Sequence, residues 1–375
     1  MIYLDHNSTT PIVPEVLEAM IPFMTEHQAN AASAHPGGVR AREAVDHARG
    51  QVADLIGGTA EEILFTSSGT ESNNLAIHGI TASSADRSHL VTTSVEHAAI
   101  LKPCRRLAEG DYDLDVIPVD EVGRLDMSQA QQRITDRTLL VSVMHANNEV
   151  GTIQPVAEVA RLAHAHGAFM HCDAAQSVGK LAVNVDALEV DLLSVAGHKL
   201  YAPKGVGALF VRKGTPLAPF MLGANHEGGF RPGTQNVPGI VGMGAACAIA
   251  KSKLEKSVAQ MASLRDELHA RLAQGVPGLR RFGDPDLSLP NTLNVGFPDA
   301  HGRTLLQAAE RVAASTGAAC HSHSDVPSTV LTAMGVPTEH QLGMVRLSLG
   351  RHTTHAHIKE AAELLIIAWG QQVNG

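Results

Sequence analysis

Residues 63–79 read "ILFTSSGTESNNLAIHG", and they hold the fold in miniature. Ile63–Thr66 form a short apolar run with the length and composition of a strand. Ser68, Gly69 and Thr70 interrupt it, and the residues that follow turn into a helix. A helix N-terminus presents unpaired backbone N–H groups and the positive end of the helix dipole, which together favour an anion. Gly69 has no side chain, so a phosphate can approach the backbone there. Taken alone, the loop is more simply an N-cap.

The same strand-then-helix rhythm continues on both sides. Upstream, "VRAREAVDHARGQVADLIGG" places Val45, Ala48, Val52, Leu55 and Ile56 on one helical face, and Gly57 and Gly58 then stop it. Downstream, the stretches "HLVTTS", "LDVIPV", "TLLVSVMHAN", "AFMHCDAA", "VDLLSVA" and "GALFVR" read as strands, with "PVAEVARLAHAHG" as a helix among them. Alternation of this kind predicts an α/β fold, a mainly parallel sheet covered by helices. From about residue 255 the rhythm changes. A polar helix leads away, isolated strands "TLNVGF" and "MVRLSLG" follow, and a last helix runs to the C-terminus. The expected division is a large domain over 15–254 and a smaller α+β domain formed by 1–14 with 255–375.

The bulk properties set outer bounds. The chain has 375 residues, 44% hydrophobic and 18% charged, as in an ordinary globular enzyme. Its net charge of −9 and lack of a basic stretch argue against a nucleic-acid partner. The longest apolar stretch, "LLIIAWG", is too short to span a membrane. The opening "MIYLDHNSTTP" has no basic-then-apolar leader, and Cys104, Cys172, Cys247 and Cys320 have no framework spacing. A reducing cytoplasm is the expected location.

Asp173, in "HCDAAQS", sits at the end of an apolar strand, where open α/β sheets bind ligands. On its own it is more simply a cap. Lys199, in "SVAGHKLYAPKGVG", ends the next strand pattern. A lysine there is costly to desolvate unless its amine is used. A phosphate cradle, a strand-end aspartate and a strand-end lysine together point to pyridoxal phosphate (PLP): the lysine supplies the amine, and the aspartate keeps the pyridine nitrogen protonated. His97, after "HLVTTSVE", is the candidate ring-stacking partner, although a lone histidine is more often structural.

The blocks "YLDHNSTTP", "FTSSGTESNNLAIHG", "SVEHAAIL", "MHANNEVGTIQP", "HCDAAQSVGK", "GHKLYAPKGVGALFVRKG", "FRPGTQNVPGIVGMGAA", "GAACHS" and "VRLSLGRHTT" occur in order from Tyr3 to Thr354. In this the chain resembles the cysteine desulfurases and selenocysteine lyases, a branch of the class V aminotransferases. The resemblance implies a fold-type I PLP-dependent homodimer with Lys199 as the Schiff-base lysine. Asp173 would pair with the pyridine nitrogen and Gln176 with the ring oxygen, and His97 would stack on the ring. Asn148 would lie near the ring oxygen and the substrate, and Asn7 would join it on the substrate. Gly69, Thr70 and His198 would hold the phosphate, and Thr234 would reach the phosphate of the partner subunit. Arg346 is preferred over Arg351 for the substrate carboxylate, where a guanidinium gives a bidentate pair. One position departs from the pattern. Many desulfurases carry a phosphate-binding serine three residues before the lysine, and Ala196 stands there.

Cys320 lies in "STGAACHSHSDVPSTVL", whose small and turn-prone residues read as an exposed loop and not a buried site. A metal site with His321 and His323 matches no standard zinc spacing, and no metal is expected. A thiolate helped by adjacent histidines fits better, and the resemblance makes Cys320 the catalytic cysteine. The implied reaction converts L-cysteine to L-alanine. The sulfur stays on Cys320 as a persulfide for an acceptor protein, serving iron–sulfur assembly, tRNA thiolation or a dedicated carrier. Two alternatives stand beside it: a lyase for L-selenocysteine, which "GAACHS" favours, and a non-catalytic sulfur- or metal-carrying scaffold.

Overall fold

The computed structural model describes residues 1–84, 86–317 and 327–374. Among them a seven-stranded sheet runs in the order Ile63–Thr66, Gly207–Val211, Leu192–Ala196, Phe169–Asp173, Thr138–Met144, His89–Thr93, Asp113–Ile117. Only Gly207–Val211 pairs antiparallel to its neighbours; the other strands point the same way. The mainly parallel α/β sheet expected from the alternation is therefore present.

Side-chain parity explains how helices cover both faces. Successive strand residues point to opposite sides. Val141, Val143, Cys172, Leu193 and Val195 enter one core with helices Pro36–Ile56 and Val156–Ala165. Leu90, Leu140, Leu192 and Leu209 enter another with helices Gly69–Ser83 and Ala98–Ala108. Continuous burial along the central strands follows from this double covering. Helix Pro36–Ile56 ends where the sequence placed its stop: Gly57 caps it at φ 74°, a left-handed geometry that suits glycine.

A second sheet, in the order Met344–Ser348, Thr292–Gly296, Arg280–Phe282, is antiparallel. It packs with Ile2, Leu4, Leu264, Leu268 and the C-terminal helix residues Ile358 and Leu365 around a separate core. The N-terminal strand Ile2–Tyr3 pairs with Val312–Ala313, and Asp5 bridges to Ser348. The polar helix expected from residue 255 is the second half of one helix, Val237–Gly275. Its first half carries Met243, Cys247 and Ala250 into the large core, and its second half carries Leu264, Leu268 and Leu272 into the small one. Glycines inside that helix are packing devices and not breaks: a Cβ at Gly244 would meet Ala48 at 2.6 Å.

Candidate active site

Four strands of the large sheet deliver residues to one cavity at their C-terminal ends, where open α/β sheets bind ligands. The strand Ile63–Thr66 leads to Ser68, Gly69 and Thr70; His89–Thr93 leads to His97; Phe169–Asp173 ends on Asp173; and Leu192–Ala196 leads through a short turn to His198 and Lys199. The cavity holds about 300 Å³. Gly69, Thr70, His97, Asn148, Asp173, Gln176, His198, Lys199, Arg346 and Asn7 all line it. Residues up to 339 positions apart in the chain thus line one cavity, as Asn7 and Arg346 do.

Asp173 owes its direction to strand parity. Its neighbour Cys172 points into the core under the sheet, so Asp173 points to the other face, against helix Gly69–Ser83. There Oδ2 accepts from Asn73 Nδ2 at 2.7 Å and Oδ1 from the Ala175 N–H at 3.0 Å. A carboxylate has more lone pairs than these two bonds use, and so keeps acceptor capacity for a cavity N–H. Asn73 lines the cavity, and its Oδ1 is buried without a partner among the described residues. The sequence reading did not pick it out, although it lies one helical turn beyond Gly69, on the same face.

The Lys199 amine donates to the backbone carbonyls of Asn7 and, at 2.6 Å, Ser8. Burial first, and the Arg346 charge next, lower its pKa to about 8, against the pull of Asp5 and Asp173. The neutral, nucleophilic amine is therefore far more accessible than in a solvated lysine. His198 is lowered to about 4 by burial and then by the charges of Lys199, Lys204 and Lys180, so its imidazole is neutral at physiological pH. Its Nδ1 pairs with Thr9 Oγ1 at 3.1 Å.

His97 both caps helix Ala98–Ala108 and borders the cavity. Its Nδ1 accepts from the Ala99 N–H at 3.1 Å, which leaves Nε2 to carry the proton of the neutral ring. At the helix start, Ser68 Oγ accepts from the Glu71 N–H, and the first-turn N–H groups have no partner within the helix. Ala196 faces this turn: a Cβ on Gly69 would stand 3.1 Å from the Ala196 Cβ. No side-chain hydroxyl is offered from that position, which matches the departure noted in the sequence.

Arg346 is 1% exposed and stands in the middle of strand Met344–Ser348, opposite Asn294. Its guanidinium donates to Asp5 Oδ1 at 2.8 Å, Ser8 Oγ at 2.7 Å and the Asn148 carbonyl at 3.0 Å, and its Nε has no partner among the described residues. Arg351 instead stacks on the Tyr201 ring at 4.6 Å and does not line the cavity. Asn7 spends both ends of its amide on protein groups, with Nδ2 on Thr292 Oγ1 at 2.8 Å and Oδ1 accepting from Lys180 and Asn291. Gln176 donates to the Asn7 carbonyl at 3.0 Å. Thr234 is exposed and does not line the cavity of its own chain. Cys320 lies outside the described residues. The three described cysteines are buried thiols: Cys104 and Cys247 are pushed up to about 12, and Cys172 is raised well above the ordinary thiol value by burial and then by the nearby Asp173.

The aminotransferase class-V family model matches residues 2–360. The chain belongs to the class-V aminotransferase family. It is 41% identical to the "Cysteine desulfurase" of Trichormus azollae, over 97% of this chain and 92% of the relative. It is 44% identical to the "Cysteine desulfurase IscS" of Anaeromyxobacter dehalogenans, over 97% of this chain and 91% of that one. A solved "NifS-like protein" superposes with a TM-score of 0.92 at 36% identity, covering 98% of both chains. These relatives bear out the fold class, the family and the reading as an enzyme of the desulfurase group drawn from the motifs. Class-V membership implies PLP chemistry in general. The described residues fit such a group in kind: an amine held near neutrality, an aspartate with spare acceptor capacity, and a helix N-terminus lining one cavity. No helix among the described residues is long and apolar enough to cross a membrane.

Proposed function

We propose that this chain is a PLP-dependent cysteine desulfurase that takes the sulfur of L-cysteine onto Cys320 and releases L-alanine. The observation that carries the reading is the convergence of Lys199, Asp173 and His97 on one cavity, with the Lys199 pKa brought down to about 8. When bound, PLP supplies an electron sink for the charge that develops at the substrate Cα. The protein's residues do the rest. Asp173 holds a proton on a ring nitrogen, which keeps the sink strong. The Lys199 amine removes the Cα proton, since it is the base whose pKa lies close to working pH. The Gly69–Thr70 turn and His198 would hold the phosphate, the neutral His198 ring donating its one N–H without adding charge. Arg346 and Asn148 take the substrate carboxylate end, with Asn7 behind them.

The Cys320 thiolate then attacks the substrate sulfur. The new S–S bond forms as the C–S bond breaks, and the electron pair goes to the substrate carbon, which is protonated and leaves as alanine. The Cys320 persulfide is passed to an acceptor protein. The other three thiols are too deeply buried and too weakly acidic for this step. The working unit is a homodimer in which Thr234, exposed on its own chain, serves the partner's phosphate site. A cytoplasmic location, with no nucleic-acid or membrane partner, fits the composition. The curated relatives carry desulfurase names, which favours sulfur over selenium as the native element.

The test is alanine and persulfide formation by the reconstituted protein and by Cys320→Ser. The variant is expected to lose alanine release from L-cysteine while keeping the wild-type cofactor spectrum, because a serine hydroxyl is a far weaker nucleophile at neutral pH. Measurable activity of the variant should persist on L-selenocysteine, whose carbon–selenium bond is weaker. Full retention on L-cysteine would overturn the persulfide mechanism.

A further inference from the structure

Lys180 lies behind the cavity wall and is only 6% exposed. Its Nζ donates to Gln176 Oε1 at 2.8 Å and to Asn7 Oδ1 at 3.1 Å. The charged groups that act on it are Lys199 and Arg346, both cations, and with burial they hold its pKa well below the usual lysine range. A buried lysine facing cations and two amides is an expensive device, and the hydrogen-bond geometry shows what it does.

A lysine amine, charged or neutral, has at least two N–H groups to give. Here it gives them to the two amides, which turn their oxygens towards Lys180 and their nitrogens to the opposite side. The Asn7 Nδ2 goes to Thr292 Oγ1 and the Asn148 carbonyl, and the Gln176 Nε2 goes to the Asn7 carbonyl. The three residues close a ring: Lys180 to Gln176, Gln176 to Asn7, and Lys180 to Asn7. The Asn7 carbonyl in that ring is also the one that receives the Lys199 amine.

The geometry points to Lys180 as a positioning residue that locks the Gln176 and Asn7 carboxamides, so that Gln176 offers the cavity an N–H and never a carbonyl. The group opposite Gln176 is thereby selected to be an oxygen acceptor. That choice of ligand atom rests on the proposed function, in which the acceptor is the ring oxygen of PLP. The lock itself rests on protein atoms alone.

The experiment compares Lys180→Met, Gln176→Met and Gln176→Glu for PLP affinity of the cofactor-stripped protein, for the visible spectrum after reconstitution at fixed pH, and for melting of the stripped protein. Lys180→Met is expected to weaken PLP binding about tenfold and to change the ratio of the visible bands, as loss of one oriented charge-assisted donor would. With Lys180 intact, Gln176→Glu should bind PLP more weakly than Gln176→Met. Lys180 would hold one carboxylate oxygen and turn the other onto the Asn7 carbonyl. Lys180→Met and Gln176→Met should be non-additive in the double variant, because they remove one shared interaction. A Lys180→Met protein with wild-type affinity and spectrum, or a Gln176→Glu protein that binds PLP like Gln176→Met, would overturn the lock. A wild type that takes up no PLP would overturn the proposed function instead. The lock would then be read from the melts of the stripped proteins.

Discussion

On one side of the cavity, Asp173, His97, Lys199 and the Gly69–Thr70 turn stand at or just beyond the ends of parallel strands. On the other side, Asn7, Ser8 and Arg346 come from an N-terminal segment and a strand of the small sheet. The first wall is built by the large sheet, whose register fixes each side chain within a few residues of a strand end. The second wall exists only where the two sheets meet, and its groups are held by hydrogen bonds between segments more than 300 residues apart, such as Arg346 to Asp5 and Ser8. Substitutions on the first wall should therefore remove chemistry and spare the fold. Those on the second should loosen the junction itself.

The largest expected effect tests the first half of that contrast. Lys199→Ala should lower turnover by on the order of a thousandfold or more, since both the amine that holds the cofactor and the proposed base are gone. The protein should still fold and melt close to wild type. Borohydride reduction of the PLP-loaded wild type, followed by peptide mapping, should mark Lys199. A label on Lys180 or elsewhere would break the assignment. A Lys199→Ala protein that fails to fold would break the contrast instead.

Asp5→Ala tests the second wall. It removes the carboxylate against which the almost fully buried Arg346 is paired and leaves that charge uncompensated. Breaking a buried ion pair on one side is strongly destabilising. The Asp5 side chain is partly exposed, at 19%, so solvent softens the loss to about 2 kcal/mol. Chemical denaturation would read it directly. An unchanged unfolding midpoint would mean that the junction does not depend on this pair.

The smallest effect sharpens the comparison from beneath the first wall. Glu96 is buried, with Oε1 accepting from Thr93 Oγ1 and the Met144 N–H, both at 2.8 Å, while Oε2 has no partner among the described residues. Burial, with a smaller push from Asp173, raises its pKa to about 8. Between the unfolded value near 4.5 and about 8, the folded chain keeps a proton that the unfolded chain has released. This group's contribution to stability therefore falls as pH rises through that window. Glu96→Gln does not titrate, so its stability relative to wild type should improve by about 1 kcal/mol or more between pH 5 and pH 8. Urea unfolding at the two pH values measures it. An advantage that does not change with pH would show that Glu96 is ionised in the fold.

The first wall was legible in the sequence because its geometry is local. A strand of alternating parity, a glycine and a helix start in "ILFTSSGTESNNLAIHG" place an anion-binding turn, and "HCDAA" and "GHK" place an aspartate and a lysine at strand ends whatever the rest of the chain does. Helix Pro14–Thr25 was not marked. Leu17, Ile21 and Met24 leave its outer face apolar as well, so no amphipathic stripe announces it. The polar helix read from residue 255 begins 18 residues earlier, at Val237, because its two halves turn apolar faces to two different cores.

The sequence by itself determined the parallel α/β architecture and the membership of the class-V aminotransferases, and it named the strand-end side chains proposed to carry the chemistry, since these depend on residue type and short spacing. The tertiary structure alone decided that Asn73 supports Asp173, that Asp5 and Ser8 hold Arg346, and that Lys180 ties Gln176 to Asn7. The reason is physical. A buried polar group must find its partner in three dimensions, and for most of these the partner lies a hundred or more residues away, where no local pattern can name it.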